Sequence, residues 1–300
     1  ASARAVVVPG GGVLQSATSA FSLLYYVGLL MFGRAFGARL LMPAQGFGPW
    51  APVNPTFWPE LFAPLLAVVA RLLCEYADHL SVRDTAAARA FAGLAFPALS
   101  MPVTADLVFA LQPHRQRLMS NINLDDPTRP LRLGVVLRSQ HPAATQLLTL
   151  LQGSLLSGRP LQIIPLSLRP GEDEEIWRAA PHLQAPLNLL PQQPFHEVLT
   201  TLDLLLSMRL HACIIAAQMR LPFIGIAVDP KIAQFAVDAG MPCLDASVPL
   251  TAEPLIGAFQ SLATLPDPGA PLAALVATRR DQALATLETC ARLLPPSPLS

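Results

Sequence analysis

One feature constrains the fold more than any other: short apolar runs alternate with longer stretches of helical pattern. The runs fall at residues 5–8, 39–43, 79–82 and 102–105, then at 131–137, 161–166, 202–206 and 223–228. Helical patterns lie near 16–36, 59–77, 85–92, 143–156, 196–201, 209–219 and 233–239, and a long amphipathic helix is expected over 272–294. Strands that are apolar at nearly every position suit burial on both faces, and parallel strands need a crossover helix to join them. The alternation predicts an α/β protein with a mainly parallel sheet. A polar stretch at 114–130 divides the pattern. We therefore expect two Rossmann-like domains, residues 1–122 and 123–300, with a ligand cleft between them.

Composition removes several function classes. The 300 residues are 52% hydrophobic and 13% charged, which excludes a disordered chain. Net charge is zero and no basic run is present, so nucleic acid is not an expected partner. A mean hydropathy of +0.45 raises the question of a membrane span. The segment 21–36 is too short to span and is interrupted by Gly28, Gly33 and Arg34, and 61–74 is shorter still. Both read as buried helices. A cytoplasmic protein is expected, with contact at the membrane surface left open. Cys74, Cys213, Cys243 and Cys290 lack metal or redox spacing and read as buried free thiols. No metal site and no cofactor are expected. The chain opens directly into a strand without a signal-peptide pattern, and we expect a further N-terminal portion to precede it.

Ligands of open α/β sheets bind beyond the carboxyl ends of the strands, and the unusual residues collect there. Arg209 and His211 open a helix just after a strand, where free N–H groups and the helix dipole favour an anion. Arginine adds a planar fork suited to carboxylate or phosphate, and histidine can move a proton near neutral pH. Either residue alone fits a structural ion pair or a core histidine better; the pair fits a site. Lys231 follows the next strand and is the single lysine beside 19 arginines. A solvated surface lysine is the plain alternative, but a compact ammonium is not interchangeable with guanidinium. Arg138 ends the strand "RLGVVLR" and is either paired with an aspartate of the linker or aimed at the same anion. Gly10, Gly11 and Gly12 make a turn that either approaches a phosphate or sugar or is simply tight. Gln45, in "QGFGP", is equally open. Asp84 reads as a helix N-cap, and Asp106 as a cap or a substrate ligand. No phosphate-binding P-loop, nucleophile elbow or zinc motif is present.

The order "PGGGVLQ", "AQGFGP", "SVRD", "VTAD", "GVVLR", "MRLHA" and "GIAVDPKI" resembles bacterial polysaccharide pyruvyltransferases of the CsaB type, over most of residues 6–240. The resemblance implies a GT-B-like arrangement of two Rossmann-like domains, with the N-terminal one incomplete in this numbering. It implies transfer of a pyruvyl group from phosphoenolpyruvate to a sugar, usually as a 4,6-linked ketal. The implied acceptor is a lipid-linked cell-wall precursor ending in β-N-acetylmannosamine, whose ketal anchors S-layer proteins. It also implies that Arg138, Arg209 and Leu210 bind phosphoenolpyruvate and that His211 and Lys231 are catalytic. Two other classes stay open. A GT-B nucleotide-sugar glycosyltransferase would use the same architecture, although no carboxylate pair suited to a ribose stands out in the second half. A carbohydrate- or phosphate-binding scaffold is the non-enzymatic alternative.

Overall fold

The computed structural model describes residues 4–11, 20–47, 68–69, 71–73, 75–95, 101–111, 129–151, 155–156, 159–169, 171–178 and 194–294. The chain divides into two compact units, residues 1–111 with 278–300, and residues 112–277.

In the first unit, β1 (Ala5–Val7), β2 (Arg39–Gln45) and β3 (His79–Val82) form a parallel sheet in that order. Helix α1 (Ala20–Ala35) connects β1 to β2. Residues 68–69, 71–73 and 75–76 are helical and precede β3. Leu40, Met42 and Val82 of the sheet pack with Leu30, Leu73 and Phe91 into the core. Helix α2 (Thr85–Ala95) begins where it does because the Asp84 carboxylate accepts the Ala87 N–H at 2.6 Å. The strand expected at 102–105 shrinks to one parallel bridge between Val82 and Val103. A 3₁₀ turn follows at Leu107–Ala110, capped by Asp106.

The second unit contains β4 (Leu131–Val136), α3 (Pro142–Leu151), β5 (Leu155–Leu156), β6 (Arg159–Leu166), α4 (Glu175–Arg178), α5 (Phe195–Leu199), β7 (Leu204–Ser207), α6 (Leu210–Gln218), β8 (Phe223–Ala227), α7 (Pro230–Ala239), β9 (Cys243–Asp245) and α8 (Ala252–Ala263). Its sheet runs β5-β6-β4-β7-β8-β9, parallel except for the β5–β6 pair. β4, β7 and β8 are almost wholly buried, as their continuous apolar runs require. Gly134 of β4 is closely surrounded: a methyl group there would collide with the Leu202 side chain and crowd those of Leu166 and Leu205.

Two expectations about helices need correction. The helix expected over 143–156 stops at Leu151, and Leu155–Leu156 fold back antiparallel onto β6. The apolar run there contains Gly153, Ser154 and Gly158, which favour a turn over a continued helix. The helix expected from 233 starts earlier, at Pro230, because Asp229 caps it and proline at the first position needs no N–H partner. It ends, as expected, at Gly240 with φ +63°. Strand β9 and helix α8 were not anticipated; three residues reading "CLD" carry no periodicity to detect.

The last helix, α9 (Ala270–Leu293), returns the chain to the first unit from Thr278 onward. There the Thr104 hydroxyl reaches the Gln282 carbonyl and the Thr286 hydroxyl.

The order of the second sheet positions the site. From β4 the chain goes to β6 on one side, then crosses back to β7 on the other. Such a reversal opens a crevice beyond the carboxyl ends of the two central strands, here β4 and β7.

A candidate anion-binding site

A cavity of about 190 Å³ occupies that crevice, lined by Arg138, Ser139, Gln140, His141, Glu172 and Arg209. The first four leave β4, Glu172 follows β6, and Arg209 follows β7.

Arg209 is the most tightly determined of these. Its N–H donates to the Ser207 hydroxyl at 3.0 Å, and that hydroxyl donates to the Arg209 carbonyl at 3.0 Å, which fixes the turn out of β7. Arg209 is then the N-cap of α6 in extended conformation. Its Nη2 donates to Asp173 and, at 3.3 Å, to Glu172. Asp173 is fully buried, and its second oxygen accepts the N–H groups of Leu168 and Arg169, both at 3.1 Å. Arg209 Nε is buried with no hydrogen-bond partner among the described residues. Glu172 is half exposed and takes Arg169 Nη1 on both oxygens, at 3.1 and 3.0 Å. The hydrogen bond from Arg169, and after it that from Arg209, holds Glu172 below the usual carboxylate range.

Arg138 is exposed and makes no side-chain ion pair among the described residues, so the buried, aspartate-paired arginine is not what stands at the end of β4. The aspartate of this region, Asp203, instead binds Arg129 through both oxygens. His141 was missed from the sequence. Its Nδ1 accepts the Ala143 N–H at 3.2 Å at the start of α3, so the neutral ring carries its proton on Nε2. Burial, and then the charge of Arg138, push His141 below the ordinary histidine value. The signal that could have found it is its position, just past a strand end and before a helix-opening proline. His141 also borders a second cavity of about 540 Å³ beyond β8 and β9, with Ala227, Pro230, Cys243, Asp245 and Ser247 among its walls. Burial first, then Asp245, raise the Cys243 thiol to about 11.

The structure thus brings Arg138 and Arg209 to one cavity. Leu210 and His211 stand on the first turn of α6 beside Arg209, half-buried and exposed respectively, and line neither cavity. Lys231 stands on the first turn of α7. Its N–H donates to the Asp229 carboxylate at 3.0 Å and its Nζ lies 3.9 Å from the other oxygen. Its side chain is only 17% exposed, unlike a solvated surface lysine, and it too lines neither cavity.

The remaining candidates belong to the first unit. Gly10 and Gly11 adopt φ +71° and +90°. Gly10 N–H donates to Pro43 at 2.9 Å and Gly46 N–H to Gly11 at 2.7 Å, which stitches the glycine turn to the end of β2. Gly12 lies outside the described residues. Gln45 is fully buried; its Nε2 donates to Val8 at 2.7 Å and Pro43 at 3.1 Å, while its Oε1 has no hydrogen-bond partner among the described residues. Asp106 caps the 3₁₀ turn with one oxygen and accepts the buried Arg83 at 3.1 Å with the other. Among the described residues no group of three or more His, Cys, Asp or Glu side chains could hold a metal ion. No described helix is long and apolar enough to cross a membrane.

Solved structures with a similar fold include Anabaena HepE in complex with UDP. The likeness covers 91% of this chain and 76% of that one, at a TM-score of 0.57 and 12% identity. Sucrose-phosphate synthase of Thermosynechococcus elongatus follows at 0.54 and 17% identity, over 90% and 71% of the two chains. The apo structure of OtsA gives 0.50 and 14%, over 93% and 72%. Identities this low speak to the fold alone, and that fold is GT-B. No curated protein matches the sequence. The family model of polysaccharide pyruvyl transferases, however, matches residues 2–230. That span runs from β1 to the start of α7 and includes both arginines of the cavity; the chain belongs to the polysaccharide pyruvyl transferase family.

Proposed function

We propose that this protein transfers the pyruvyl group of phosphoenolpyruvate to a sugar of a cell-wall polysaccharide precursor, forming a 4,6-linked ketal and releasing phosphate. The observation that carries the reading is the pair Arg138 and Arg209, from two different strand ends, on one cavity. Phosphoenolpyruvate bears a phosphate and a carboxylate, and guanidinium forks bind both. In the reaction a proton reaches the methylene carbon and leaves C2 oxocarbenium-like. One sugar hydroxyl attacks C2, the C2–O bond to phosphate breaks, and a second hydroxyl closes the ketal. Of the two hydroxyl protons, one ends on the new methyl carbon and the other leaves with phosphate. His211 is assigned the proton transfers and Lys231 the departing phosphate. Leu210 sits where the free N–H groups of α6 begin. The acceptor is assigned as a lipid-linked glycan ending in β-N-acetylmannosamine, handled in the cytoplasm at the inner face of the membrane.

The test is a synthetic lipid-linked disaccharide with terminal N-acetylmannosamine, incubated with phosphoenolpyruvate and followed by mass spectrometry and phosphate release. Pyruvylation is expected, with a loss of about 10²–10⁴-fold in His211→Ala. Absence of phosphate release with every pyruvylatable acceptor tried would end the reading. A second reading, a nucleotide-sugar glycosyltransferase, draws on the fold shared with HepE, which was solved with UDP and with UDP-glucose. Thermal shift separates the two, since only a bound donor stabilises the folded state.

A further inference from the structure

Arg209 offers one nitrogen, Nη2, to two carboxylates, and the two are held very differently. Asp173 is fully buried and also accepts two backbone N–H groups. Moving it would strand those donors in the interior, so it stays with Arg209. Glu172 is 51% exposed, and its contact with Arg209 is the longer one at 3.3 Å. Both its oxygens already sit on Arg169. Releasing Arg209 therefore leaves Glu172 with a partner.

We propose that Glu172 is a competing residue of the anion site that promotes product release: it occupies Arg209 until an anion displaces it, and a ligand whose two anionic groups engage Arg209 and Arg138 together offsets that competition best. The identity of that ligand as phosphoenolpyruvate rests on the function proposed above; the exchange itself rests on the geometry. A ligand with one anionic group gains little at Arg209, because it replaces a carboxylate already there. A ligand with a second group also gains Arg138, which makes no ion pair among the described residues. Glu172 also lowers the net charge of the cavity lining from two positive charges to one, which weakens the hold on any small anion. The reaction turns a ligand with two anionic groups on one molecule into separate phosphate and ketal. Free phosphate then competes with Glu172 alone and leaves.

The experiment is calorimetric titration of phosphoenolpyruvate, pyruvate and inorganic phosphate into the wild-type protein, Glu172→Gln and Arg169→Ala, at constant ionic strength. Glu172→Gln should bind all three anions about threefold more tightly, the scale of an exposed ion pair, because each displaces the same carboxylate from Arg209. Release of phosphate should slow by a similar factor. Arg169→Ala should weaken phosphoenolpyruvate binding, because Glu172 loses its alternative partner. A merely structural Glu172 would move both variants in the same direction. If the wild-type protein binds phosphoenolpyruvate but Glu172→Gln leaves all three affinities unchanged, the role given to Glu172 is wrong and the proposed function stands. If the wild-type protein binds none of the three anions, both fall.

Discussion

At the scale of single residues, Asp173 decides most. It fixes both the loop after β6 and the guanidinium of Arg209. Asp173→Asn leaves the largely buried Arg209 with only the exposed Glu172 as counter-charge, which should cost about 3 kcal/mol of stability. Urea denaturation checks that figure, and steady-state kinetics should show KM for phosphoenolpyruvate rising more than kcat falls. Two histidines give a pH signature. The Ser81 hydroxyl accepts the Ala44 N–H at 3.0 Å and shares a hydrogen bond with His79 Nε2 at 3.2 Å. Burial lowers the pKa of His79, and burial with the Arg138 charge lowers that of His141, both from 6.5. In a window below 6.5 the unfolded chain binds protons that the folded protein refuses, so stability falls as pH drops through it and is level above it. Melting temperatures between pH 5 and 7.5 should slope upward in the wild type, and less steeply in a His79→Asn/His141→Asn double variant. Arg138 and Arg209 were legible in the sequence because each ends an apolar strand run. Glu172 and Asp173 were not. The stretch "GEDEE" reads as a solvated loop, and only the folded sheet brings Asp173 under an arginine far along the chain.

At the scale of elements, the parallel strands were legible wherever three or more apolar residues ran together. The errors fell where local chemistry overruled periodicity, as at the end of α3 and the capped start of α7. Packing inside the sheet was invisible from sequence. Gly134 reads as an ordinary weak point in a strand, yet a methyl group there would force the neighbouring leucine side chains to move. Gly134→Ala should destabilise the protein by about 1–3 kcal/mol, measured as a lower urea midpoint at unchanged m-value. The α7 cap links element to site. Asp229 both starts the helix and lies beside the Lys231 ammonium. Lys231→Arg keeps the charge but not the compact head group, and turnover should drop although the helix start is intact. Full activity in Lys231→Arg, with circular dichroism unchanged, would remove the lysine from the chemistry.

At the scale of the whole molecule, the reversal in strand order places the cavity, and alternation alone did not reveal it. The sequence shows that strands and helices alternate; which strands become neighbours depends on packing across the sheet. The contribution of α9 to the first unit was equally hidden, since an amphipathic helix does not say which core it will join. A variant ending after Ala277 should lose stability in the first unit, and hydrogen exchange should report faster amide turnover around Thr104 than in β7. Equal protection in both chains would show that the terminal helix is dispensable there. The bond of Thr104 to Gln282 and Thr286 has a consequence for biosynthesis. A ribosome must translate all of residues 112–277 before the first unit receives its final helix. That unit therefore waits, unfinished, while the later half of the chain emerges and can fold ahead of it.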